Sequence, residues 1–284
     1  MRMCACRGGN GFAHVSCLAR QAKILVAEAE ENNFGDKALN ERLNRWRACG
    51  LCEQEYHGVV RCALGWACWK TYLGLPETDD LRGFAWTELG AGLDEVKNYE
   101  DALSVREAEL SMLRRLDTDA SEQCREHNLL IVQGNLALTY EALGRVEEAM
   151  RLRRDVYLGW LQFKGEEHFH SLRESNNYAF SLIDLERFEE AKTLMRKTMP
   201  VARRTLGESN DLTLRTRCIY AQAIYRDPAA TLDHLRESMT TLEETARTAR
   251  RVLGGAHPLA VEIERSLGKA RAAVRARETP PTSA

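Results

Sequence analysis

Three closely spaced pairs of cysteine and histidine stand near the start of this sequence. They are Cys4-x-Cys6, His14-x2-Cys17 and Cys49-x2-Cys52. Two side chains from one tight turn can bind the same tetrahedral zinc ion, and a second pair from elsewhere completes the coordination. The pairs therefore predict Zn²⁺ as a cofactor. The alternative is that the cysteines are small buried hydrophobic residues, because free cysteine packs well in a core.

The order of these pairs resembles the RING-CH (variant RING) zinc finger, whose ligands run as CxxC, CxC, HxxC and CxxC. Residues 6–18, CRGGNGFAHVSCL, resemble the segment that joins the second and third pairs of that family. The resemblance implies one complete zinc site and half of a second one. The complete site would contain Cys4, Cys6, Cys49 and Cys52, and the half site would contain His14 and Cys17.

The first ligand pair of the RING-CH pattern has no counterpart in this sequence. Three explanations are open: a longer natural chain with an upstream start, loss of the second zinc ion, or substitution by His57, Cys62 or Cys68. We favour the upstream start. For Cys62 and Cys68, the simpler interpretation is that they are core thiols of a helix predicted over residues 59–72.

Ubiquitin ligation is the activity that the RING-CH resemblance implies, with a ubiquitin-conjugating enzyme as partner. Such a finger docks the charged enzyme and contributes no nucleophile of its own. An aromatic residue usually follows the third ligand pair on the docking surface, but Gln21 and Ala22 stand at this place. We expect Trp46 to fill the space instead.

The composition argues against several classes of function. Charged residues make up 29% of the 284 residues and the net charge is -2, so nothing indicates a nucleic-acid or anionic-membrane partner. Only 6 prolines and 19 glycines occur, which predicts a nearly all-helical protein. The most apolar segment, residues 59–75, is too short and too polar to cross a bilayer. The N-terminal residues lack the apolar core of a secretory signal, which predicts a reducing, cytoplasmic location for the 9 cysteines.

Small residues recur along the chain with a period of about 42, as is typical of stacked helical repeats. The series on the first helix of each unit (helix A) is Gly90, Ala137, Ala179 and Ala221, and the series on the second helix (helix B) is Ala102, Ala149 and Ala191. Each pair of small residues is expected to let the two helices of a hairpin approach closely.

The repeats resemble tetratricopeptide (TPR) repeats, because residues 86–102 contain W-x2-L-G-x2-L followed by Y-x2-A. The long period and residues 165–191, GEEHFHSLRESNNYAFSLIDLERFEEA, resemble the kinesin light chain type. The fold class implied is all-α: a TPR helical-hairpin superhelix of about four repeats with a capping helix at residues 258–277. A small zinc-finger segment precedes it.

The predicted domains are a partial finger at residues 1–58, a linking helix and loop at 59–81, TPR repeats at 82–277 and a disordered tail at 278–284. In the fourth repeat Asp233 replaces the helix B alanine, so we predict this unit to be degenerate. Asp79 or Asp80 is expected to cap the first helix of the array, and Gly144 to form a turn.

A protein or peptide partner is predicted to bind the concave face that the A helices line. Asn135, Asn176 and Asn177 could hydrogen-bond its backbone, although they could also solvate helix starts. Arg145, Arg151, Arg153 and Arg154 are interpreted as a solvated outer face.

The function predicted from the sequence is that of an interaction scaffold with a zinc finger, because motif searching finds no catalytic residues. The alternatives are an E3 ubiquitin ligase that recruits substrate through its repeats, and an adaptor whose finger has lost its metal.

Overall fold

The computed structural model describes residues 14–116 and 122–278, so Cys4, Cys6 and residues 279–284 of the predicted tail lie outside the described residues. Glu278, predicted to begin the disordered tail, is instead the last residue of the final helix. The described chain forms twelve α-helices and confirms the all-helical fold class. It divides into two compact units, Met1–Arg145 and Val146–Ala284.

The first unit contains six α-helices and a short 3-10 turn. They are α1 (Val15–Glu31), α2 (Asp36–Leu43), the 3-10 turn (Asn44–Trp46), α3 (Gly58–Tyr72), α4 (Asp80–Glu95), α5 (Tyr99–Arg115) and α6 (Glu122–Ala142). The α3 helix was predicted from its apolar spacing. The Asp79 carboxylate accepts a hydrogen bond from the Leu81 N–H at 2.9 Å, so Asp79 is the helix cap expected from the sequence.

The second unit consists of three helical hairpins in sequence order. They are α7 (Val146–Lys164) with α8 (Phe169–Asp184), α9 (Phe188–Leu206) with α10 (Asp211–Tyr225), and α11 (Leu232–Leu253) with α12 (Pro258–Glu278). In repeat terms, α8, α10 and α12 are A helices. The α12 helix packs on α10 and α11, and Ile263, Leu267 and Ala270 are buried against them, as expected of a capping helix.

The repeat alanines are packing residues, as the sequence predicts. Each is fully buried in its own unit: Ala102, Ala137, Ala149, Ala179, Ala191 and Ala221. In the second unit, Ala179 and Ala191 share one apolar cluster with Met195 and Ile224. An alanine at such a position leaves no room for a longer side chain without moving a helix.

The same turn closes three of the predicted hairpins. In each turn, the backbone N–H after a residue with positive φ donates to a carbonyl five residues earlier: Asn98 to Leu93, Arg145 to Tyr140, and Arg187 to Leu182. The positive-φ residue is Gly144 in one turn, as predicted, but Lys97 and Glu186 in the others. Glycine was therefore an incomplete guide to these turns.

Gly65 and Gly92, rather than Gly90, allow the closest approach of helices in the first unit. A Cβ on Gly65 would lie 2.6 Å from the Glu88 carbonyl oxygen, and one on Gly92 would lie 2.9 Å from the Cys62 Cα. A Cβ on Gly90 would instead meet the Arg106 side chain at 3.3 Å. Gly90 therefore faces the second helix of its repeat through the Arg106 side chain of α5, whereas the closer contact of backbones is between α3 and α4.

A Gly65→Ala substitution is expected to lower the free energy of unfolding of the first unit by about 1–3 kcal/mol, because α3 and α4 must separate. Gly83→Ala is the matched control, since it lies on α4 with nothing within 4 Å of its Cβ position. The control should be neutral or slightly stabilising. Urea unfolding of both variants measures the difference, and equal stability would contradict the close approach.

The fourth repeat is not degenerate in the way the sequence suggested. Asp233 is 91% exposed and does not occupy the helix B position. Ser238 is fully buried on α11, and its hydroxyl donates to the Ala221 carbonyl at 2.9 Å. The connection before α11 is longer than in the other hairpins, so the small residue that faces Ala221 lies five positions later than Asp233.

The N-terminal segment and the first repeat helices share one core. Ala22 and Val26 of α1 pack with Trp46, with Tyr72 of α3 and with Ala85 of α4. None of the described helices is both long and apolar enough to cross a bilayer.

Candidate functional site

Cys49 and Cys52 lie in a tight hairpin before α3. The Cys49 N–H donates to the Gln54 carbonyl at 2.9 Å, and an isolated antiparallel bridge joins Ala48 to Glu55. The backbone of Glu53 has a φ of 57°, which turns the chain directly after Cys52. Both cysteines are therefore held by one short turn, as zinc ligands of a CxxC pair require.

The Leu51 N–H points at the Cys49 sulfur at 3.5 Å. A backbone N–H donor of this kind stabilises a thiolate and orients it, which is what a metal-bound cysteine needs. Cys52 is half-buried and Leu51 between them is exposed. The donor set and its hydrogen bond fit a soft divalent metal such as zinc.

His14 and Cys17 begin α1, and their Nδ1 and Sγ atoms are 4.0 Å apart. Cys17 is exposed. Val15 and Leu18 beside them pack against the cluster that contains Cys49 and Cys52. Within residues 14–116 and 122–278, no group of three or more Cys, His, Asp or Glu side chains could hold a metal. The described chain thus supplies two separate pairs.

Cys62 and Cys68 have the surroundings of core thiols. Cys68 is fully buried in the core that contains Trp46 and Tyr72, and burial raises its pKa far above the usual range. Burial also raises the pKa of Cys62. Raised thiol pKa values disfavour the thiolate that a metal ligand must form. The third alternative, His57, is 75% exposed at its side chain and lies 3.7 Å from Glu95.

Trp46 cannot supply the aromatic residue of a docking surface, contrary to our expectation. Its side chain is fully buried and packs edge-on against Tyr72 with ring centroids 5.9 Å apart. Ala22 is also fully buried, whereas Gln21 is exposed. Trp46 lies close to Cys49 in the sequence, which suggested a surface role. Its indole is instead buried in the apolar core formed by α1, α3 and α4.

A cavity of about 770 Å³ lies on the A-helix face of the second unit, between α8, α10 and α12. Its apolar wall residues include Phe180 and Val261, each 42% exposed. On its floor, the Gln222 amide donates to the Ser266 hydroxyl at 3.1 Å. The cavity has the apolar walls and few placed polar groups that are typical of binding sites.

Two cations of α12, Arg265 and Lys269, also line this cavity. They are one turn apart and exposed, and neither forms an ion pair within the described part of the chain. Like charges at this spacing destabilise a helix slightly. By contrast, Arg226 and Glu262 of the same cavity pair with Asp184 at 2.9 Å and with Arg215 at 3.6 Å.

The three asparagine side chains differ in how accessible they are to a bound peptide. Asn176 is 1% exposed, and its amide donates to the Leu212 carbonyl of α10 at 3.4 Å. Asn177 is half-buried and donates to Glu174 at 2.9 Å, and Asn135 on α6 is half-buried. The peptide-binding role of this set stays a prediction, with Asn135 and Asn177 as its accessible members.

Arg153 does not lie on a solvated face as the sequence suggested. It is 4% exposed and faces the buried Glu174 of α8 at 4.0 Å. Arg151 and Arg154 do keep exposed side chains. The cavity cations were missed, although Val261, Arg265 and Lys269 recur at a spacing of four on one predicted helix and could have been recognised.

The connectors before the A helices carry a repeated cap. The imidazole Nδ1 of His168 accepts from the His170 N–H, and that of His257 accepts from the Leu259 N–H, each at 3.3 Å. Asn210 caps α10 in the same way at 2.9 Å. These histidines are therefore helix caps, and the helices they cap carry side chains that line the cavity.

Comparison with known proteins supports the repeat fold. A tetratricopeptide repeat family model matches residues 176–211. A search of curated protein sequences finds no match. Similar solved structures share low identity with the chain, so they show the fold alone, a TPR-like helical repeat.

Three of these solved structures illustrate the range of identity and coverage. A kinesin light chain-type protein with nearly identical TPR-like repeats from Podosopora anserina has 20% identity and a TM-score of 0.55, covering 68% of this chain and 87% of that chain. BtubC (BKLC) from P. vanneervenii has 14% identity and a TM-score of 0.54, covering 96% and 97%. A Rap protein complexed with competence and sporulation factor has 11% identity and a TM-score of 0.50, covering 93% and 74%.

Proposed function

We propose that this protein is an interaction scaffold that binds an extended segment of a protein partner on the A-helix face of its second unit. The observation that carries the proposal is the cavity between α8, α10 and α12, whose exposed apolar walls stand beside the unpaired Arg265 and Lys269. A Rap protein of similar fold forms a complex with competence and sporulation factor, which supports ligand binding by such a fold.

The charge of the cavity favours an acidic segment. Among the described residues that line it, the cations are Arg226, Arg265 and Lys269, and the one acid is Glu262. Since Arg226 and Glu262 already have partners, the two free cations of α12 are the groups that a carboxylate would neutralise. An apolar side chain of the partner would contact Phe180 and Val261, because burial of that surface stabilises the complex.

Charge reversal of the cavity tests this proposal. Partners are first captured on the wild-type protein, and acidic peptides from their sequences are synthesised. Calorimetry then measures the affinity of each peptide, and the double variant Arg265→Glu/Lys269→Glu is expected to bind at least tenfold more weakly than the wild type. The matched control is Arg247→Glu/Arg251→Glu, which makes the same change at the same spacing on α11, outside the cavity. Equal loss in both variants would contradict a site at the cavity.

We also propose that Cys49 and Cys52 bind zinc as part of the finger that the sequence resembles. The tight hairpin and the Leu51 N–H directed at Cys49 support it. Cys4 and Cys6 are the ligands that the RING-CH resemblance assigns to the same ion. When bound, zinc would supply structural stabilisation, because ligand pairs from separate segments are joined by one ion.

Zinc content tests the metal proposal. Purified wild-type protein is expected to retain close to one zinc ion for each chain, and Cys49→Ser/Cys52→Ser to lose it. Cys62→Ser/Cys68→Ser is the control, since the half-buried Cys62 and the buried Cys68 pack in helical clusters and should leave the zinc content unchanged. Elemental analysis after dialysis measures both, and a zinc-free wild type would show that the finger holds no metal.

A ubiquitin ligase remains the alternative function, with a conjugating enzyme as its partner. The burial of Trp46 and Ala22 removes the aromatic residue expected on its docking surface, so the scaffold is the function that the geometry favours. An autoubiquitination ladder that depends on Cys49 and Cys52 would reverse this preference.

A further inference from the structure

Arg45 is the cation that lies against the Cys49–Cys52 hairpin. One guanidinium nitrogen, Nη1, donates to the Cys49 carbonyl at 3.3 Å. Arg45 precedes the hairpin in the 3-10 turn, and its side chain reaches forward to the Cys49 backbone. It therefore holds the backbone of a proposed metal ligand directly.

Gly50 of the hairpin lies next to this guanidinium. A Cβ at position 50 would lie 3.4 Å from Arg45 Nη1 and 3.6 Å from its Cζ, which is ordinary van der Waals contact. The Arg45 guanidinium therefore packs along the backbone of the Cys49–Cys52 hairpin, at Gly50 as well as at the Cys49 carbonyl.

The neighbouring arginine serves a different purpose. Arg47 donates to the Asn44 side chain at 2.9 Å and faces the buried Glu88 of α4 at 3.8 Å, so its charge is directed into the helical core. Arg45 has no carboxylate partner within residues 14–116 and 122–278. Its positive charge is left for the cysteine turn.

We propose that Arg45 is a positioning residue for a thiolate-bound divalent metal at Cys49 and Cys52. This inference rests on the proposed zinc binding. Metal binding requires both thiols to become thiolates, which places two negative charges in one short turn. Arg45 offsets that charge and fixes the Cys49 carbonyl, while the Leu51 N–H orients the sulfur. Loss of residues that support metal ligands in this way commonly weakens metal binding 10- to 100-fold.

The experiment compares zinc affinity in full-length Arg45→Met, Arg45→Lys and Arg47→Met proteins by competition with a chromophoric chelator. We expect Arg45→Met to weaken zinc binding about 10- to 100-fold. Arg45→Lys, which keeps the charge, should recover part of the loss. Arg47→Met should stay within about threefold of the wild type, because its guanidinium pairs with Glu88.

A purely structural role would give a different pattern. Under the proposal, metal-free Arg45→Met and wild type unfold at the same temperature, and the cobalt-loaded variant shows weaker sulfur-to-metal charge-transfer absorption. Arg45→Gln, which removes the charge but keeps a side-chain amide, should also weaken zinc binding and serves if Arg45→Met does not fold. Wild-type affinity in both Arg45→Met and Arg45→Gln, or equal losses in Arg45→Met and Arg47→Met, would overturn the proposal. A wild type that binds no zinc would instead refute the metal site itself.

Discussion

Replacing Glu109 with glutamine is expected to stabilise the first unit by up to about 5 kcal/mol at pH 9. Glu109 lies on α5 and is 4% exposed. Burial raises its pKa from 4.5 to about 8, although nearby Arg106 and a hydrogen bond from Thr87 lower it. The Thr87 hydroxyl is 3.4 Å from the carboxylate, which is too long to offset full burial. The folded unit therefore favours the neutral acid.

The sign of the effect follows from proton binding. Below pH 4.5 the carboxyl is protonated in both the folded and unfolded chain, so the raised pKa has no cost. Between pH 4.5 and about 8 the unfolded chain loses the proton and the folded chain keeps it, so the free energy of unfolding falls as pH rises. Above this range the loss is complete. Glutamine does not ionise and removes the slope.

Urea unfolding of the wild type and Glu109→Gln from pH 5 to pH 9 measures the difference. Glu107→Gln is the matched control, because Glu107 lies on the same helix and is exposed. We expect the control to follow the wild type. A parallel pH dependence in Glu109→Gln and the wild type would show that Glu109 is ionised in the folded protein at neutral pH.

The repeat architecture was predictable because packing restricts residue size at fixed spacing. Ala179 and Ala191 recur with the period because two helices meet there, and this demand is visible in one sequence. The buried charges were not predictable. Glu88, for example, receives Arg61 of α3 and Arg47 of the hairpin, and nothing in the local sequence distinguishes it from an exposed helix glutamate.

The candidate sites, too, were predictable from the sequence only in part. The prediction that Cys49 and Cys52 are metal ligands came from their spacing, because two side chains in one turn can bind the same ion. The role of Arg45 depends on the 3-10 turn that directs its side chain. The cavity depends on three helices, and the residues that line it lie up to 89 positions apart in the sequence, from Phe180 to Lys269. Such placements follow from tertiary packing, and spacing within one helix does not specify them.

Asp227 is a connector residue that stabilises the second unit. It lies between α10 and α11. Its carboxylate accepts from the Lys192 ammonium of α9 at 2.8 Å and from the Ala229 N–H at 2.8 Å. The Lys192 and Asp227 side chains are only 6% and 9% exposed. Burial raises the pKa of Asp227, but these hydrogen bonds outweigh it and lower the pKa below 3.8.

Asp227→Ala is expected to lower the free energy of unfolding of the second unit by about 1.5–3 kcal/mol at pH 7, because the buried Lys192 ammonium then keeps only the exposed Glu189 carboxylate as a partner. The control Asp233→Ala, at a 91% exposed position, should change it by less than about 0.5 kcal/mol. The contribution of Asp227 is present above pH 3.8 and disappears as pH falls through its lower folded pKa. Thermal or urea unfolding measures both effects.

A double-variant cycle separates the ion pair from the turn. Asp227→Asn keeps an acceptor for the Ala229 N–H but removes the charge, and Lys192→Met removes the ammonium. Since the cost of breaking a buried pair comes mostly from the charge left behind, the Lys192→Met/Asp227→Asn protein should lose less stability than the sum of the two single variants. Strict additivity would show that Lys192 and Asp227 act independently, and the stabilising role of Asp227 would then belong to the turn alone.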